Sequence, residues 1–140
     1  MPSKSDWGRY MWPTLHYVAM GYPERPGPED KAAYKAFFEG LGRVLPCAKC
    51  RPSFQKHVSD VPIDAYLDGG PRRLFDWTVV QHNKVNMELG KPVWDADAAW
   101  ARYSGTAAAP WKTYAAVAAA LLALLALLAL LWRPARVTRR

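Results

Sequence analysis

Leu45-Pro46-Cys47-Ala48-Lys49-Cys50-Arg51 holds both cysteines of a 140-residue chain. Two residues separate them, a proline precedes them, and Lys49 and Arg51 flank the second. Pro46 ends whatever element comes before it, and residues 47–60 have helical composition. The cysteines are therefore expected in the first turn of a helix. There, unpaired N–H groups and the helix dipole favour an anion, and the two cations add to that potential. Three readings follow: a redox-active dithiol, a fixed disulfide or pair of buried thiols, and half of a metal site. The metal reading needs two more ligands, and His57 and His82 are the candidates, although neither has compact zinc-finger spacing. A thioredoxin-like motif would follow a strand in a βαβ pattern, and no strand pattern is visible.

Working outward, the periodicity is helical throughout. Arg9, Trp12, His16 and Ala19 share a face and define a first helix up to about Tyr22, with Pro13 inside it. Residues 22–27 read as a loop. Pro28, Glu29 and Asp30 suit a helix opening, because proline fits the first position and acids complement the dipole. Ala33, Phe37, Leu41 and Val44 are expected inward, opposite a solvated side of Lys31, Lys35, Glu39 and Arg43. Residues 61–71 are rich in breakers and read as a connection. A fourth helix is expected from about Arg72 to Leu89, closed by Gly90 and Pro92. It carries one stripe of Phe75, Val79, His82 and Asn86 and another of Leu74, Trp77 and Val85. A short fifth helix is expected over Asp97–Tyr103. The fold class is all-α, a small bundle.

The apolar content is uneven. Residues 114–132 carry no charge and are nearly all Ala and Leu, with Trp111, Tyr114 and Trp132 at the ends. This reads as one C-terminal transmembrane helix, since nineteen helical residues rise about 28 Å. The expected plan is a domain over residues 1–103, a linker over 104–113, the membrane helix over 114–132 and a basic tail over 133–140. The tail holds four arginines, and without them the net charge of +7 falls to +3. That balance removes the case for nucleic-acid binding and points the tail at lipid headgroups. Lys4, Asp6 and Arg9 interrupt the first apolar residues, so no signal peptide is read. The expected localisation is a membrane, with a single-pass C-terminal anchor and the domain over residues 1–103 in the cytosol.

Two helices carry polar groups on otherwise apolar faces: His16 lies four residues after Trp12, and Asn86 four after His82. Seven tryptophans, these histidines and an activated dithiol suit a cofactor with aromatic and polar parts. The order and intervals of Trp7-Gly8-Arg9 with Trp12, Leu15-His16, Tyr22-Pro23, Pro46-Cys47-Ala48-Lys49-Cys50, His82-Asn83-Lys84-Val85-Asn86 and Leu89-Gly90-Lys91-Pro92 resemble the Erv/ALR family of FAD-dependent sulfhydryl oxidases. The resemblance covers roughly residues 7–103.

What the resemblance implies is a four-helix bundle plus a short fifth helix, holding FAD with its flavin ring beside the CxxC, usually as a homodimer. Cys50 would be the thiol next to the flavin, and Cys47 the one that exchanges with protein dithiols. Gly8, Arg9, Trp12, His16, His82, Asn83, Val85, Asn86, Lys91 and Trp100 match cofactor-contacting positions, and no metal is implied. Electrons would pass through FAD to molecular oxygen, giving hydrogen peroxide. Many relatives carry a second, shuttle cysteine pair. This chain has only two cysteines, which resembles the minimal oxidases of large DNA viruses and points to a small redox carrier protein as client. The other function class is a non-catalytic, tail-anchored helical adaptor with a structural disulfide or metal-bound CxxC.

Overall fold

A computed structural model describes the backbone of residues 4–106 and 110–131, all of its regular elements helical. The chain divides into two compact units, Met1–Ser104 and Gly105–Arg140. The first contains α1 (Lys4–Met20), α2 (Pro28–Val44), α3 (Cys50–Asp60), a 3-10 turn (Ile63–Tyr66), α4 (Gly70–Glu88) and α5 (Ala96–Tyr103). α1 packs along α4 and α2 along α3, while α3, α5 and the 3-10 turn also rest on α4. α4 is thus the central element, and its length carries buried side chains on nearly every turn, from Leu74 and Phe75 to His82 and Asn86.

Helix ends follow their local chemistry. Asp30 accepts a hydrogen bond from the Gly27 N–H at 2.9 Å and caps α2, whose first residue is Pro28. Asp95 Oδ1 accepts from the Ala98 N–H at 2.9 Å and caps α5. α4 ends in a Schellman motif: the Gly90 N–H donates to Met87 O at 3.1 Å and the Lys91 N–H to Asn86 O at 2.8 Å. Gly90 has φ +64°, which only glycine adopts without strain. α1 continues through Pro13, which removes one ladder donor without ending the helix.

The core joins Leu15 and Ala19 of α1, Phe38 and Leu41 of α2, Phe54 of α3 and Leu74, Phe75 and Trp77 of α4. Buried polar atoms in it find backbone partners. The Trp77 indole N–H donates to Val61 O at 2.9 Å, and the Tyr22 hydroxyl donates to Leu67 O at 2.9 Å. These bonds tie the irregular 61–69 connection to α4 and to the loop that follows α1.

Several expectations are corrected. On α2 the inward stripe runs through Phe38, Leu41 and Gly42, whereas Ala33, Phe37 and Val44 are exposed. The helix is apolar on both sides there, so the period alone did not orient it. α3 starts at Cys50. Cys47 lies three residues earlier in a turn closed by the Cys50 N–H donating to Cys47 O at 2.9 Å, so only one cysteine is in the first helical turn.

The second unit contains α6 (Pro110–Leu131). The expected transmembrane helix over 114–132 is not supported: among the described residues, no helix is long and apolar enough to cross a membrane. Among the described residues the fold is therefore all-helical, with six α-helices and no assigned membrane span. The single-pass anchor, the membrane localisation and the lipid-bilayer partner built on that span fall with it. Trp132 and the basic tail 133–140 lie outside the described residues.

Candidate functional site

A cleft of about 610 Å³ opens in the first unit between α1, α3, α4 and the segment leading into and through α5. Its floor is aromatic. The Trp12 ring of α1 lies parallel to the His82 ring of α4, with centroids 4.2 Å apart and an angle of 4°, and Trp94 meets His82 at 4.6 Å. At one wall stands Cys50, joined to Cys47 in a disulfide with a Cα–Cα distance of 5.2 Å. Cys50 lines the cleft and Cys47 does not, although both are half-buried.

Four cations line the same space, Arg9, Lys49, Lys91 and Arg102, against a single carboxylate, Glu88. Glu88 is already engaged. Ser53 Oγ donates to its two oxygens at 2.7 and 2.9 Å, and His57 Nε2 lies 2.8 Å from Oε1. The cleft therefore presents excess positive charge, suited to an anionic ligand with a flat aromatic part. The indole Nε1 of Trp7, which also lines the cleft, is buried without a hydrogen-bond partner, a donor left for a ligand acceptor.

The residues singled out from the sequence fall in two layers. Gly8, Arg9, Trp12, His82, Val85, Asn86, Lys91 and Cys50 line the cleft. His16 stands behind His82, fully buried, with Nε2 3.2 Å from His82 Nδ1 and Nδ1 2.7 Å from Thr78 Oγ1. Asn83 faces the chain rather than the cleft: its amide donates to Trp94 O and its carbonyl accepts the Trp94 N–H, both at 2.8 Å. Trp100 packs edge-on against Phe75 under the Arg72 guanidinium, away from the cleft lining.

Burial keeps both histidines neutral. Desolvation, and then the neighbouring His82, pushes the pKa of His16 down to about 3. Desolvation, and then the charge of Lys91, pushes His82 down to about 4. Desolvation also raises the Tyr103 phenol above its ordinary range.

Lining residues not singled out from the sequence are chiefly Ser53, Phe54, Glu88, Trp94 and Tyr103. Ser53 and Phe54 lie three and four residues after Cys50, so helical spacing from the cysteine was an available signal. Trp94 and Tyr103 reach the cleft through the return after Pro92, which no periodicity encodes.

The candidate metal pairing of the cysteines with His57 and His82 is not assembled. The cysteines are bonded to each other, and the two histidines face Glu88 and His16. Among the described residues, no group of three potential ligands is close enough to hold a metal ion.

The sequence profile of the Erv1 / Alr family matches residues 9–104. The chain is 40% identical over 89 residues to a probable FAD-linked sulfhydryl oxidase of Acanthamoeba polyphaga mimivirus, covering 64% of this chain and 62% of that protein. It is 32% identical over 96 residues to the mitochondrial FAD-linked sulfhydryl oxidase ERV1 of Saccharomyces cerevisiae, covering 69% of this chain and 49% of that one. It thus spans between about half and three-fifths of the length of these relatives. The crystal structure of the yeast Erv1 core superposes with a TM-score of 0.66 at 31% identity, covering 74% of this chain and 85% of that one. The FAD-binding domain of Saccharomyces cerevisiae Erv1 gives the same TM-score at 30% identity, covering 74% and 95%. With a cleft at its disulfide and the profile matched over residues 9–104, the chain belongs to the Erv1/Alr family.

Proposed function

We propose that the chain is an FAD-dependent sulfhydryl oxidase that makes disulfide bonds in protein thiols. One observation carries the reading: Cys50, half of a CxxC disulfide, stands in the wall of a cleft whose floor is aromatic and whose rim is cationic. The cleft volume, the excess of cations and the unpartnered Trp7 indole fit a dinucleotide with a diphosphate and a flat ring.

In this reading a client thiolate attacks the sulfur of Cys47, which is not among the residues lining the cleft, and Cys50 leaves as a thiolate. A second client thiolate resolves the mixed disulfide, so the client is oxidised by two electrons and the Cys47–Cys50 pair is reduced. Cys50, as the first residue of α3 with Lys49 beside it, is held where an anion is favoured. The chemistry FAD supplies is to accept that electron pair and deliver it to molecular oxygen, giving hydrogen peroxide. Arg9, Lys91 and Arg102 would neutralise the diphosphate, Trp12 and His82 would offer a flat face, and Gly8, Val85 and Asn86 would complete the contact surface. His16 and Asn83 support this surface from behind, and Trp100 braces Phe75.

The proposal includes a homodimer, because Tyr10 and Tyr17 on α1 and Phe37 and Val44 on α2 are large apolar side chains left exposed. It includes a small redox carrier protein as client, because the chain has no second cysteine pair to carry electrons outward. The test is direct. The purified protein should be yellow and should consume oxygen with dithiothreitol. A folded, colourless protein that gains neither colour nor activity from added FAD would overturn the reading.

A further inference from the structure

Thr78, His16 and His82 form a buried chain whose hydrogen-bond polarity is set far from the cleft. Thr78 Oγ1 donates to Phe75 O at 2.7 Å and meets His16 Nδ1 at 2.7 Å. His16 Nε2 in turn meets His82 Nδ1 at 3.2 Å. A neutral imidazole has one N–H and one lone pair, so choosing one end of the chain fixes the other.

Two arrangements exist. If His16 carries its proton on Nδ1, it donates to Thr78, the threonine hydroxyl stays on Phe75 O, and His82 donates from Nδ1 to His16 Nε2. Three hydrogen bonds are made. If His16 carries its proton on Nε2, the threonine hydroxyl must turn to donate to Nδ1 and abandons Phe75 O, which leaves two. All three side chains are buried, so water does not replace the missing bond. The arrangement with three bonds is favoured by one hydrogen bond, enough to outweigh the small preference of a free imidazole for Nε2–H. Both rings are neutral, as the chain requires, since burial pushes their pKa values down to about 3 and about 4.

We infer that Thr78 is a positioning residue which, through His16, holds His82 with a bare Nε2 lone pair, so that His82 presents a hydrogen-bond acceptor to the cleft. His82 lines the cleft and no described protein group partners Nε2. The ligand group it takes is therefore a donor, a hydroxyl or amino N–H of the bound dinucleotide, and not a carbonyl or phosphate oxygen. The ligand half of this inference rests on the FAD reading above; the proton arrangement does not.

The test uses the full chain labelled with ¹⁵N-histidine and long-range ¹H–¹⁵N spectra, which identify the protonated nitrogen of each ring. His16 and His82 should both carry Nδ1–H. Thr78→Val keeps the shape and removes both hydroxyl bonds, so both rings should switch to Nε2–H. The temperature at which flavin fluorescence is released should fall by about 4–8 °C. Thr78→Ser should keep both the tautomers and the release temperature of the unmodified protein. A purely structural role for Thr78 would lower the release temperature without moving the tautomers, and would overturn the inference. Nε2–H on either ring of the unmodified protein would overturn it even if Thr78→Val failed to fold. A colourless protein with Nδ1–H on both rings would overturn the FAD reading and uphold the relay.

Discussion

Trp12 and His82 lie face to face, 4.2 Å apart and within 4° of parallel, although 70 positions separate them in the chain. The pairing brings α1 and α4 together at the cleft floor and offers the indole as a flat surface already held in place. Trp12→Ala should therefore weaken flavin binding by about tenfold, while Trp12→Phe should lose less. Titrating the flavin-free protein with FAD and following flavin fluorescence measures both. Equal affinity in all three proteins would remove the indole from the binding surface.

The two sulfurs should be separable. Cys47→Ser and Cys50→Ser should each abolish dithiol turnover and leave the fold and flavin content unchanged, since neither thiol holds the ring. Only Cys47→Ser leaves Cys50 free at the cleft wall, so only that variant should show a long-wavelength thiolate-to-flavin absorbance. The opposite pattern would reverse the roles of the two residues.

Stability of the flavin-free protein should depend on pH through His16 and His82. Both have folded pKa values, about 3 and about 4, below the ordinary 6.5, so below pH 6.5 the unfolded chain binds more protons. Their contribution is complete above pH 6.5 and is lost as pH falls towards 4. The slope approaches about 1.4 kcal/mol per pH unit for each histidine still neutral. Urea midpoints between pH 7 and pH 4.5 should show this fall, and His16→Gln should lessen it. A flat profile would contradict the buried neutral pair.

Tyr22→Phe should destabilise the domain by about 1 kcal/mol, the value of the hydrogen bond from its hydroxyl to Leu67 O, without changing flavin affinity. Paired urea melts and FAD titrations separate these effects. A loss of affinity at unchanged stability would show that the 61–69 connection communicates with the cleft.

Helix positions and types were largely legible, because caps and breakers act over a few residues: Pro28 with Asp30, and Gly90 with Pro92, mark their ends as the sequence indicates. Depth was not. His16 and His82 share the signal of a polar group on an apolar face, yet one lines the cleft and the other stands behind it. Asn83 and Asn86 sit three residues apart, and only Asn86 faces the cleft, because Asn83 is consumed by Trp94. Such layering depends on which neighbour arrives from elsewhere in the chain, and spacing within one helix does not contain it. Thr78 gave no signal, since a hydroxyl in a helix interior more often bonds its own backbone. Phe37 and Val44 misled the α2 reading because apolar residues there serve two faces.

The clasp between Asn83 and Trp94 governs how long a single proton is kept from solvent. Residues 91–95 belong to no helix, and such a return ordinarily exchanges its amide hydrogens quickly. The Trp94 N–H, however, is held by a side chain anchored in α4, so deuterium can reach it only when that grip opens. Its exchange should follow the unfolding of α4, while the amide of exposed Val93 next to it exchanges freely. A stretch that looks like a loop by its backbone would then keep time with the centre of the bundle.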